Sequence, residues 1–203
     1  MSKQVWKGTV LTAPVPPVMV TCGDMENSNI VTVAWTGTVN TKPPMTYVSL
    51  RPTRHSYGII KEKGEFVINL TTASQVKSTD YCGTFTGKKV DKFAKCGFTK
   101  ARASQVSAPL IEECPVNLEC KVRNIIPLGT HDMFLAEIVA VNVDESLIDE
   151  GGKLRLDRAE LAAFAHGDYY ALGKRLAPIG ISVKNHKKPN GNNKKSLVQR
   201  KQK

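Results

Sequence analysis

The chain of 203 residues lacks most of the short signatures that announce a function. No stretch reaches the roughly eighteen apolar residues of a membrane-crossing helix, so no such span is expected. There is no GxGxxG and no GxxxxGK[ST], which leaves a Rossmann dinucleotide site and a P-loop unsupported. There is no GxSxG nucleophile elbow either. The five cysteines (22, 82, 96, 114 and 120) form no CxxC, and the Cys114–Cys120 spacing matches no common zinc pattern. The four histidines (55, 131, 166 and 186) stand apart, with no HExxH. No metal site is therefore expected. The odd cysteine count reads as reduced thiols serving as small buried hydrophobes. The N-terminus offers Lys3 and Lys7, then a stretch from Val10 to Val20 broken by Pro14, Pro16 and Pro17. That is not a signal-peptide pattern, and the expected compartment is the cytoplasm.

Charge is present in excess, but only locally. The net charge is +11. Residues 184–203 hold eight Lys/Arg and no Asp or Glu, leaving 21 basic against 18 acidic side chains in the first 183, a net of +3. The stretch is also rich in Asn and Gly, as in Asn190-Gly191-Asn192-Asn193. Such a segment buries too little apolar surface to offset its ordering entropy. The expected organisation is a folded body over 1–183 and a basic, flexible tail over 184–203, read as solvated or as an anion-binding arm.

Hydrophobic residues make up 41% of the chain, enough for a core, and the body reads mainly as strands. Asn29–Thr36 is rich in β-branched residues, with Val31, Val33 and Trp35 on one face and Ile30, Thr32, Ala34 and Thr36 on the other. Met45–Arg51, Glu65–Leu70, Val116–Ile126 and Met133–Val143 read the same way. Helices are predicted over Ser56–Lys63, with Ser56 as the cap and Gly64 as the stop, and over Ser74–Phe85. A third is predicted from the capping-box pair Asp157 and Glu160 through Leu161–Phe164 to Gly167. Many strands with a few short helices imply a mainly antiparallel barrel or sandwich.

Four segments carry candidate chemistry. Ser49-Leu50-Arg51-Pro52-Thr53-Arg54-His55-Ser56 places two guanidinium forks and several hydroxyls between a strand and a helix. It reads as a polar turn before a capped helix, or as a phosphate site. Thr32-Val33-Ala34-Trp35-Thr36 reads as a buried strand with a core Trp, or as a strand end where backbone meets a flat ring. Lys92, after the Thr86–Lys89 loop, is either a solvated loop lysine or an anion contact. His131, in Gly129-Thr130-His131-Asp132, is either a hydrogen-bonded turn residue or a ligand contact.

Together and in this order, these segments resemble the flavin reductase-like family with the FMN-binding split barrel, which includes flavoredoxins and NAD(P)H:flavin oxidoreductases. The matching residues are Asn29, Thr32, Ala34 and Trp35, then Pro43-Pro44, then Ser49, Arg51, Pro52, Arg54 and Ser56. Phe66–Leu70, Asp91–Phe93, Gly129 with His131, and Gly167–Gly173 follow. The resemblance spans about Thr12 to Val183. It implies a Greek-key antiparallel split β-barrel with a few short helices, a homodimer, and one FMN per subunit.

Residue by residue, the resemblance places the backbone of Thr32, Val33, Ala34 and Trp35 at the isoalloxazine edge. It gathers Asn29, Ser49, Leu50, Arg51, Arg54, Ser56 and Lys92 around the rest of the cofactor. His131 falls where some flavin reductases meet nicotinamide, although Gly-Thr-His stands here where the family often has Gly-Asp-His. The implied activity is electron transfer from NADH or NADPH through FMN to a flavin or other acceptor. The alternative is a flavoredoxin-type carrier reduced by a redox protein partner. A basic nucleic-acid-binding module is a third class. Aromatics at 6% and the confinement of charge to the tail argue against it.

Overall fold

The computed structural model describes residues 1–183. They fall into two units, Met1–Leu172 and a second beginning at Gly173. The described part of the second, 173–183, holds no helix or strand. The basic stretch 184–203 lies outside the described residues. No described helix is long and apolar enough to cross a membrane.

The first unit carries eleven strands: β1 (Val18–Gly23), β2 (Ser28–Val33), β3 (Thr36–Thr41), β4 (Pro44–Leu50), β5 (Glu65–Asn69), β6 (Lys100–Ala101), β7 (Leu110–Ile111), β8 (Val116–Pro127), β9 (Asp132–Val143), β10 (Ala162–Ala165) and β11 (Asp168–Ala171). Its α-helices are α1 (His55–Lys63), α2 (Val76–Thr84) and α3 (Lys92–Cys96). Seven strands form one sheet in the order β2-β1-β5-β8-β9-β4-β3, with every pair antiparallel.

The order itself demonstrates closure. β2 and β3 lie at opposite ends of that sequence of strands, yet only Ala34 and Trp35 separate them in the chain. Three backbone steps reach about 11 Å at full extension, so the two edges must be neighbours and the sheet must curl into a barrel. Beside this seam the Ser49 amide donates to the Trp35 carbonyl at 3.0 Å, extending the β3–β4 ladder by one residue.

The side-chain period of two then sorts the core. Val18, Val20 and Cys22 of β1 join Val31, Val33, Val48, Leu50, Phe66, Ile68, Phe134 and Ala136 inside the barrel. Met19 points the other way, onto Ile30, Cys82, Phe93, Ile111 and Cys114 beneath α2 and α3. β1 is buried along its whole length for this reason. All five cysteines are free thiols, four of them buried and Cys96 half-buried.

Three expectations need correction. The Asn29–Thr36 run is not one strand. It breaks at Ala34–Trp35, and Trp35 is 42% exposed rather than a core residue. Ser56 does not cap α1. Arg54 stands at the cap position without a side-chain capping bond, while Ser56 is buried inside the first turn. The helix expected over Asp157–Gly167 is a hairpin, β10–β11, turned by His166 (φ 50) and Gly167 (φ 97). Two consecutive positive φ values are what a tight two-residue hairpin turn requires. Bridges from Val15 to Phe164 and from Thr72 to Leu161 hold this segment extended against its local helical pattern.

Glu119 on β8 is buried and anchors the loop before β7. Its Oε1 accepts from the Ser104 amide, the Ser104 hydroxyl and Asn142 Nδ2, each at 2.9 Å, and its Oε2 accepts from the Gln105 amide at 2.5 Å. Burial opposes the charged form, but the Asn142, Ser104 and Gln105 donors outweigh it and hold the carboxyl below the usual glutamate range. A depressed folded-state value gives stability that is full above the unfolded value, about 4.3, and is lost as pH falls through the folded one. Glu119→Gln is therefore expected to cost about 3 kcal/mol at pH 7 and less in acid, since it sets an NH₂ against donors. Urea unfolding of both proteins between neutral and acid pH checks this.

Candidate functional site

The seam of the barrel opens into a cavity of about 630 Å³. β2 and its exit supply Thr32, Val33, Ala34 and Trp35, and the end of β4 supplies Ser49 and Leu50. Arg51, Arg54 and His131 complete the part of its lining that the sequence anticipated. A second cavity of about 210 Å³ lies between α1 and the α2–α3 loop and includes Asn29, Ser56 and Lys92. The two share Val31, Arg51, Arg54 and Thr84, so they form one continuous cleft. Each of the twelve residues singled out from the sequence lines one cavity or both.

The smaller cavity has the donor set of an anion site. No Asp or Glu lines it. Arg54 Nη1 is held to the Gly83 carbonyl at 3.1 Å. Asn29 Nδ2 donates to Ser56 Oγ at 2.8 Å, so these two buried residues orient one another. The first turn of α1 contributes more. The His55 and Ser56 amides meet no backbone acceptor among the described residues, as expected for the free end of a helix, and the helix dipole favours negative charge there. Gly87 closes the pocket from the loop. A Cβ at that position would lie 2.0 Å from Asn29 Oδ1, and Asn29 is fixed by Ser56 and has no room to yield.

Lys92 is neither solvated nor on a loop. It opens α3, which Asp91 caps by accepting from the Ala94 amide, and it is only 3% exposed. Its ammonium donates to the Ile30 carbonyl at 2.6 Å and the Cys82 carbonyl at 2.7 Å, tying β2 to α2. One of its three donors is left for the pocket. Burial, with Arg54 adding repulsion, pushes this ammonium below the usual lysine range. A bound anion would reverse that pressure.

The larger cavity is mixed in character. His131 sits at the tip of the β8–β9 hairpin, its Nδ1 3.0 Å from Thr130 Oγ1. The same cavity is lined by residues that the sequence does not assign to the site: Pro17, Asp80, Gly83 and Thr84, and Phe164, Gly167 and Tyr169 of the β10–β11 hairpin. The Tyr169 hydroxyl donates to Asp80 Oδ1 at 3.4 Å, and burial and the Asp80 carboxylate push its phenol up. Beyond Trp35 lies a third cavity of about 690 Å³, mostly apolar, lined by Leu11, Val15, Tyr47, Met133 and Phe164 among others.

The site is thus a cleft on the seam of an antiparallel barrel, mixed in character at one end and cationic at the other. Residues 11–173 match the family model described as flavin reductase like domain, and the chain belongs to that family. The chain is similar to the flavoredoxin of Desulfovibrio vulgaris (Miyazaki F), at 33% identity and a TM-score of 0.83, covering 89% of this chain and 99% of that one. It is also similar to a flavoredoxin from Methanosarcina acetivorans, at 27% identity and a TM-score of 0.82, covering 91% and 98%. A protein with a split barrel domain from Shewanella frigidimarina shares the fold at 24% identity and a TM-score of 0.75, covering 83% and 87%.

Proposed function

We propose that the chain is an FMN-binding oxidoreductase that passes electrons from NADH or NADPH through FMN to a flavin or other acceptor. The observation that carries this reading is the continuity of the two cavities. A seam cleft that admits a ring system leads directly into a pocket whose charged side chains are all cationic. A phosphate monoester carries about −1.5 to −2 charges near neutral pH and matches that pocket. Arg51, Arg54, Ser56, Lys92 and the free amides at the start of α1 would hold it. The backbone of Val33 to Trp35 and Leu50 would face the ring.

When bound, FMN supplies hydride acceptance and one- or two-electron release. The chain supplies the rest. Trp35 and Phe164 would shield the ring. Arg51 would offset charge that builds up on reduction, and His131 would orient the reductant over the cleft. The apolar cavity beyond Trp35 would give a second substrate room beside the ring. A homodimer in the cytoplasm is part of the same proposal.

The test is an anaerobic titration of FMN-loaded protein with NADH and then NADPH, following the oxidised flavin band. Rapid bleaching by either is expected and identifies the donor. A protein that holds FMN but stays yellow would overturn direct nicotinamide use. It would favour the second reading, a carrier fed by a redox protein partner, which the likeness to two flavoredoxins supports.

A further inference from the structure

α2 and α3 form one wall of the smaller cavity, through Cys82, Thr84 and Lys92 together with the loop between them. They meet at two thiols. Cys82 Sγ lies 3.8 Å from Cys96 Sγ, and among the described residues no other pair of thiols is in contact. Cys114 belongs to the same apolar cluster, but its thiol is turned to Gln75 Oε1 at 3.6 Å. Cys22 and Cys120 lie in the barrel interior. The two partners differ in access. Cys82 is fully buried, whereas Cys96 is half-buried on the last residue of α3, just before Gly97 ends the helix at φ 69. A helix terminus can shift to bring the sulfurs from contact to the bonding distance of about 2.05 Å.

We propose that Cys82 and Cys96 are a redox-active pair, closed to an intramolecular disulfide by a hydroperoxide, and that the bond staples α2 to α3 along the wall of the anion pocket. The Cys96 sulfur attacks one peroxide oxygen. The O–O bond breaks, and Cys96 becomes a sulfenic acid as water or an alcohol leaves. The Cys82 sulfur then attacks the Cys96 sulfur. The S–S bond forms, the S–O bond breaks, and the departing hydroxide takes the Cys82 proton as water. The two thiols lose two electrons and the peroxide gains them. Burial, then the neighbouring Cys96, pushes the Cys82 thiol up to about 12. Cys82 therefore stays protonated until the sulfenic acid stands beside it, which assigns the first attack to Cys96. Lys92 grips the Cys82 carbonyl from the first residue of the helix that ends in Cys96, so the staple and the pocket cation share one frame.

The experiment treats the full chain with hydrogen peroxide, blocks remaining thiols with N-ethylmaleimide in denaturant, and digests with trypsin without reductant. Tryptic cleavage puts the two cysteines on separate peptides, Ser78–Lys88 and Cys96–Lys100, and leaves Cys114 and Cys120 together on a third. The expected product is Ser78–Lys88 linked to Cys96–Lys100, present in Cys114→Ser and absent in Cys96→Ser. Peroxide should also raise the melting temperature of the unsubstituted protein by roughly 3 °C or more, because the link closes a loop of about 15 residues, and should leave Cys96→Ser unmoved. A Cys82 peptide that carries maleimide after peroxide treatment, or one joined to the Cys114 peptide, would overturn the assignment. Neither readout depends on FMN.

Discussion

Arg51→Glu is expected to abolish FMN retention at working concentrations, weakening the dissociation constant by at least about a hundredfold, or about 2.7 kcal/mol. Arg51 lines both cavities at their junction, and its guanidinium makes no hydrogen bond or ion pair among the described residues, so nothing there occupies its donors. Two losses combine in the variant. A charge-assisted hydrogen bond disappears, and a carboxylate is set against the phosphate in a pocket that otherwise contains none. Because the side chain is exposed, solvent tempers the repulsion, which sets the modest floor on the estimate. The same reversal at Lys153, which lines neither cavity, should leave retention unchanged. Flavin fluorescence titrations of the two variants, matched for folding by thermal melts, make the comparison. Equal losses would show that binding responds to overall charge rather than to this site.

Asn69→Leu is expected to be the most damaging single change to the fold, costing about 4 kcal/mol and lowering the melting temperature by roughly 8–16 °C. Asn69 is fully buried at the end of β5. Its Nδ2 donates to the Met19 carbonyl at 2.8 Å and to Thr21 Oγ1 at 3.3 Å on β1. Its Oδ1 accepts from the Ile111 amide on β7 at 3.0 Å and from Asn117 Nδ2 on β8 at 2.8 Å. Leucine has similar bulk but no polar atoms, so these groups would stay buried without their partner. That is costlier than never having had the network. Chemical unfolding with an unchanged slope would report the loss cleanly, and a cost under about 1 kcal/mol would show that the partners find one another without Asn69.

Asn69 also shows how a sequence reading runs short. It was visible only as one letter of Phe66-Val67-Ile68-Asn69-Leu70, a strand continuing in period two. Its role comes from Met19, Ile111 and Asn117, which lie 42 to 50 residues away. Lys92 is the same case. A lysine after Thr86-Gly87-Lys88-Lys89 reads as exposed, and the carbonyls of Cys82 and of Ile30, 62 residues distant, account for its burial. Thr32 and Arg54, by contrast, were legible because a strand end and an Arg/Ser turn are local patterns.

The sequence by itself determined β2, β4, β5, β8 and β9, because side-chain alternation and β-branched content act within five or six residues. It determined α1 and α2 for the same reason, Gly64 ending α1 in the left-handed conformation as expected. The ordered motifs also determined the family. The tertiary structure decided where the strand broke at Ala34–Trp35, because only closure of the barrel puts β2 beside β3. It also decided that Leu161–Gly167, helical by capping pattern and alanine content, became the first strand and turn of a hairpin. Pairing with Val15 and Thr72 satisfies backbone groups that an exposed helix would have satisfied alone. The cleft depends on both decisions, since Trp35 and the β10–β11 hairpin form its two sides.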